Sequence, residues 1–217
     1  LGVLCVAMFF AITSGNSHLS LNAVLNIILF KVTGYNLDSI SARDMAIVWN
    51  MRMPRILMAV LSGIALATAG ALYQGCFRNP LVEPFILGAS SGASFGAAIA
   101  IVFPALFLPT QISAFLFALL AVIIAYTLAR QKGEINTVGL VLSGVIIGSV
   151  FSALVSIVKY LSEDTQLREI TFWMMGGLYH ASWSDIFINT IVILLCFIVA
   201  WIFAWKLNLL SIGDEES

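Results

Sequence analysis

From Pro84 to Ala129 the chain carries no charged residue. A stretch that long and that apolar cannot fold as a solvated loop or a half-wet strand. In hydrocarbon every backbone N–H and C=O must be satisfied inside the segment, and a helix does this on its own. About 20 apolar residues at 1.5 Å each cross roughly 30 Å of bilayer, so the run holds two crossings. Pro104 and Pro109 mark the turn between them. Similar windows lie at 56–77, 138–158 and 186–205, and residues 1–13 read as the end of a first crossing. The expected fold is all-α, a polytopic transmembrane helical bundle with about six spans in a single domain, 1–217.

Two shorter helices are expected beside the spans. Residues 19–30, after Ser14-Gly15-Asn16, suit an amphipathic helix on the membrane surface. Ser162-Glu163-Asp164 places acids ahead of residues 165–173, where a helix N-terminus favours negative charge.

With 61% hydrophobic and 10% charged residues the chain is far more apolar than a soluble domain, where about a quarter are charged. A formal net charge of −1 with no basic stripe argues against nucleic-acid binding. Cys5, Cys76 and Cys196 are far apart and form no C-x-x-C pair, so neither disulfide nor metal site is expected, and no cofactor. No G-x-x-x-x-G-K-[ST] loop occurs, so ATP hydrolysis by that route falls to a partner. The chain is not expected to be an enzyme.

One motif points the other way. Gly88-Ala89-Ser90-Ser91-Gly92 matches the G-x-S-x-G of serine hydrolases, which makes an intramembrane hydrolase using Ser90 the alternative. It needs a base within hydrogen-bond reach, and His18 and His180 both fall in segments expected outside the membrane. The same five residues arise when serines fill a glycine ladder.

Such ladders recur. Gly63, Ala67, Ala71 and Gly75 are spaced by four, as are Gly88, Gly92 and Gly96, and Gly144, Gly148 and Ser152. Small residues at this spacing let helices approach closely in lipid, where no hydrophobic force drives them together. The uncharged runs hold serines, including Ser62, Ser91, Ser143, Ser149 and Ser152, but no Asp, Glu, Lys or Arg. Proton and ion carriers often place such charges at membrane depth. A hydroxyl-lined path suits a bulky, already chelated cargo better.

Six segments carry a family resemblance. They are Arg52-Met53-Pro54-Arg55; Gln74 through Asn79-Pro80-Leu81 to Pro84; Leu87-Gly88-Ala89-Ser90-Ser91-Gly92-Ala93; Leu142-Ser143-Gly144-Val145-Ile146-Ile147-Gly148; Phe172-Trp173-Met174-Met175-Gly176 with Ser182-Trp183; and Leu207 through Ser211-Ile212-Gly213 to Glu216. Together they resemble the FecCD permeases, the membrane subunits of ABC importers for iron-siderophores, haem, cobalamin and related chelates.

The resemblance implies a multi-pass subunit in a bacterial inner or archaeal plasma membrane. Its expected partners are ABC ATPase subunits, an extracytoplasmic substrate-binding protein and a second permease subunit in a homodimer or pseudo-dimer. It implies that Arg52 and Arg55 dock the binding protein. Asn136, Thr137, Ser143, Gly144 and Gly148 would form the translocation path and its gate, and Ser211, Gly213, Asp214, Glu215 and Glu216 would begin the surface coupled to the ATPase. Ferric siderophore is the expected cargo, with cobalamin, haem or molybdate as the alternatives and the Ser90 hydrolase a remote one. The resemblance also sets the orientation, because counting Lys and Arg by the positive-inside rule favours the opposite one. Family members have about ten spans, so further chain is expected beyond Ser217, and the opening at Leu1 suggests more before it.

Overall fold

The structure, a computed structural model, describes residues 2–14, 19–34, 41–106, 108–131, 134–135 and 137–212. It forms two compact units. One comprises Leu1–Thr68 with Gly177–Lys206, the other Ala69–Gly176 with Leu207–Ser217.

The first unit begins with α1 (Gly2–Thr13) and α2 (Leu21–Thr33). Ser20 caps α2, its hydroxyl accepting from the Ala23 N–H at 3.2 Å, and Gly34 ends it in the left-handed region at φ 75°. Next comes α3 (Ala42–Met45), which passes through a π-helical segment, Ala46–Arg52, into α4 (Met53–Phe77). A span beginning near residue 56 was expected, but the helix runs unbroken from Ala42 to Phe77. Arg52 and Arg55 bound the uncharged run in sequence and do not stop the helix. The core is Ile12, Val24, Ile27 and Val48, packed by Met45, Trp49, Met53 and Ile56. α9 (Trp183–Ile212) also starts here, three residues earlier than its apolar window predicts.

The second unit is built on α5 (Ala89–Val102), α6 (Thr110–Ala129) and α7 (Thr137–Leu161). α5 is shorter than the expected third span. Residues 84–87 form turns and Gly88 adopts φ 76°, so helix begins only at Ala89. Its 14 residues cover about 21 Å at 1.5 Å each, short of a bilayer. Six of them are buried, five Gly or Ala and one Ile, so α5 serves as a core helix for its neighbours. A Cβ on Gly92 would stand 2.5 Å from the Phe117 carbonyl oxygen and 2.7 Å from Ala121 Cβ, and one on Gly96 would meet the Ser113 carbonyl. Phe95 fills the space between, edge-on to Phe117 at 5.2 Å and tilted on Phe151 at 5.7 Å.

The short helix expected at 165–173 is α8 (Asp164–Met175). The Glu163 N–H donates to Gln166 Oε1 at 3.1 Å, and Gln166 Nε2 reaches the Val102 carbonyl at 3.4 Å, tying α8 to the end of α5. Ile170 seals that contact against Ala98, Ile101 and Val158. Between α6 and α7, β1 (Arg130–Gln131) pairs antiparallel with β2 (Glu134–Ile135), which the helical periodicity does not predict.

Among the described residues four helices are long and apolar enough to cross a membrane: Ala42–Phe77, Thr110–Ala129, Thr137–Leu161 and Trp183–Lys206. The protein is a multi-pass membrane protein.

Candidate functional site

In the second unit a Gly-Ser groove of about 640 Å³ opens along α7. The segment leading into it is a tight turn. The Asn79 side chain accepts from the Leu81 N–H at 3.0 Å, and Gln74 Nε2 donates to the Pro80 carbonyl at 3.0 Å. The two polar residues of the Q-x-x-x-x-N-P motif thus hold the loop from both sides, while Arg78 takes φ 50° to start it. The chain then lies directly on α7. A Cβ on Gly144 would run into the Ile86 carbonyl and come within 2.8 Å of Leu87 Cα, and one on Gly88 would sit 3.0 Å from the Gly148 backbone nitrogen.

Gly88, Gly144 and Gly148 form one wall with Ser91, Ser149 and Ser152, and Leu81, Phe85, Ile86 and Val145 supply apolar surface. The Ser149 hydroxyl donates to the Val145 carbonyl at 2.9 Å and that of Ser152 to the Gly148 carbonyl at 2.8 Å. A hydroxyl has one proton, so these serines turn lone pairs rather than donors to the groove. Ser91 Oγ lies 3.3 Å from Ser152 Oγ. Glu83 is the one ionisable side chain on the lining, and it is exposed. The surface is rich in acceptors and has few donors.

Of the path residues read from sequence, Gly144 and Gly148 line this groove. Ser143 is buried and does not, Thr137 is exposed at the first turn of α7, and Asn136 lies outside the described residues. Ser149, Ser152, Ser91 and Glu83 complete the site. The serines were visible as polar positions in apolar runs, but only the fold brings two helices and a turn to one groove. Ser211 lies in the last turn of α9, and Gly213, Asp214, Glu215 and Glu216 fall outside the described residues. Ser90 sits in the first turn of α5 and its carbonyl accepts from Ser94 Oγ at 2.9 Å. That is not the strained strand-to-helix turn of a hydrolase nucleophile.

The first unit holds the arginine pair. An Arg52 Nη donates to the Ile12 carbonyl and Arg55 Nη2 to the Tyr179 carbonyl at 3.3 Å, so both guanidinium groups are held by backbone oxygens of their own unit. Arg55 Nε is buried without an acceptor among the described residues. Trp49 and Trp183 stack with centroids 4.7 Å apart, and Lys31 Nζ lies 5.8 Å over the Trp49 ring. The small-residue face of α4 is open within its own units. Within their own units a Cβ on Gly63 or Gly75 meets nothing within 4 Å. Gly63 and Ala67 instead border an open apolar groove of about 450 Å³ with Leu4, Ala7, Met8 and Ala11 of α1.

Residues 3–217 match the model of the FecCD transport family. The chain is similar to the hemin transport system permease protein HmuU of Yersinia pestis, with 40% identity over 78% of this chain and 53% of that protein. It is also similar to the molybdate import system permease protein MolB of Haemophilus influenzae, with 32% identity over 99% of this chain and 63% of that protein. A solved structure of an inward-facing metal-chelate-type ABC transporter superposes with a TM-score of 0.78 at 30% identity, covering 98% of this chain and 63% of the other. The chain thus spans less than two thirds of these relatives' length.

Proposed function

The chain belongs to the FecCD transport family, and from that premise we propose that the whole protein is the permease subunit of an ABC importer, forming the translocation path for a metal chelate, with ferric siderophore as cargo. It works with ABC ATPase subunits, an extracytoplasmic binding protein and a second permease subunit. The observation that carries the reading is the groove along α7. Apart from Glu83 its lining is uncharged, mixing serine hydroxyls with apolar side chains, and Gly88 and Gly144 let the 86–88 backbone lie against α7 to form its wall. Its volume is within the range of small-molecule sites, about 300–1,000 Å³.

Passage requires binding strong enough to admit a cargo and weak enough to release it. Hydroxyl lone pairs and Glu83 offer several modest acceptors to a ligand carrying O–H or N–H donors. A bare oxyanion would meet few donors there. In this mechanism Gly144 and Gly148 belong to the path with Ser143 buried behind them, Thr137 and Asn136 belong to its gate, and Arg52 and Arg55 present cations to acidic residues of the binding protein. Ser211, Gly213, Asp214, Glu215 and Glu216 receive the motion of the ATPase, which supplies the free energy.

The test is ATP-dependent uptake into proteoliposomes by the full-length permease with its ATPase and loaded binding protein, offered ferric siderophore, haem, cobalamin and molybdate in turn. Uptake of ferric siderophore is the expected result. Uptake of another compound corrects the cargo alone, and no uptake with any of them, without binding-protein-stimulated ATP turnover, overturns the reading.

A further inference from the structure

The R-M-P-R segment contains a proline between its arginines, and the π-helical turn before it gives that proline a consequence. In the π register each N–H reaches back five residues, and the Met53 N–H donates to the Val48 carbonyl. The next donor in the pattern would be residue 54, aimed at the Trp49 carbonyl. Residue 54 is proline, fully buried and without an N–H. The Trp49 carbonyl is filled from outside the helix, by Trp183 Nε1–H at 3.0 Å.

That donor is specific for one register. If the turn relaxed to α-helix, the Met53 N–H would bond the Trp49 carbonyl four residues back, and the Trp183 indole would lose its acceptor. Removing one residue's worth of π expansion would also rotate the segment before the turn by about 100° relative to α4. Arg52 is the last residue of the π turn and Arg55 lies in the first turn of α4. The Tyr179 carbonyl that holds Arg55 lies four residues before Trp183, so one short segment ties the helix at both Trp49 and Arg55.

We propose that Trp183 is a positioning residue for the Arg52 and Arg55 docking pair: its indole N–H occupies the carbonyl that Pro54 leaves without a donor, locks the turn in its π register, and so sets the direction from which the two arginines meet an acidic partner surface. The proposal rests on the docking reading of those arginines.

Trp183→Phe keeps an aromatic ring against Trp49 and removes only the donor. In the full-length permease in nanodiscs, affinity for the importer's purified binding protein is expected to fall about three- to tenfold, the span that one neutral hydrogen bond supplies. Two further variants separate positioning from general damage. Pro54→Ala removes the ring that opposes the α register and supplies an N–H that the Asn50 carbonyl accepts in that register, so Trp183→Phe with Pro54→Ala should lose at least as much affinity as Trp183→Phe alone. In an Arg52→Gln, Arg55→Gln background Trp183→Phe should have no further effect, because its route to the partner is gone.

Amide hydrogen exchange of residues 46–53 provides a readout that needs no partner. Faster exchange in Trp183→Phe is the expected result, and unchanged exchange overturns the clamp. If the clamp holds but wild-type permease binds no binding protein, the docking reading fails instead. An undiminished effect of Trp183→Phe without the arginines overturns the positioning role.

Discussion

Gly92→Ala adds one methyl group where α5 and α6 meet at backbone contact. The new Cβ would lie 2.5 Å from the Phe117 carbonyl oxygen, where ordinary contacts begin near 3.4 Å, so the helices must part by about 0.9 Å there. The obstacle is backbone and cannot rotate aside. Overpacking of this kind costs about 1–3 kcal/mol. Alanine's helix propensity offsets little of it, since a helix separated from its neighbours in lipid remains a helix. Taking about 2 kcal/mol, at about 2–4 °C per kcal/mol for a chain of this size, thermal unfolding in detergent should fall by roughly 4–8 °C. Gly63→Ala is the control, because its Cβ meets nothing within 4 Å in its unit. Equal unfolding temperatures for Gly92→Ala and wild type, or an equal fall for Gly63→Ala, would refute the packing argument.

Gln166→Ala removes both the acceptor for the Glu163 N–H and the donor to Val102, and should destabilise by roughly 1–2 kcal/mol in the same melt. Gln166→Glu keeps the acceptor and should lose about half as much. Arg78 holds φ 50°, a conformation that costs a side chain roughly 1–2 kcal/mol. Arg78→Gly should therefore leave stability unchanged or raise it by up to about 1 kcal/mol, and a clear loss would mean that the Arg78 side chain makes a contact worth more than the strain.

Helices whose ends carry side-chain signals were legible from the chain. Glu163 and Asp164 announce α8, and Ser14 through Asn16 place α2 after a break. The early start of α9 had a signal as well. Ser182 and Asp185 form an S-x-x-D pair, the Ser182 N–H and hydroxyl both donating to Asp185 Oδ2 at 3.0 and 2.6 Å, and hydropathy alone passes over it. The shortening of α5 was harder to see, because an uncharged run reads the same whether it is helix or turn. Glycine spacing is equally silent about the partner: the same four-residue ladder is packed to backbone contact at Gly92 and open at Gly63. The π turn had only Pro54 as a local signal, and the indole that fills its open carbonyl, Trp183, lies 134 residues away in sequence.

Ser149 and Ser152, placed as cysteines one at a time in a protein lacking Cys5, Cys76 and Cys196, test whether the α7 groove is a path for cargo. A membrane-impermeant maleimide should label both from water in the reconstituted importer, and the labelling rate should change when ATP and loaded binding protein are supplied. Labelling of neither, or rates indifferent to turnover, would contradict the assignment of this groove to the translocation path.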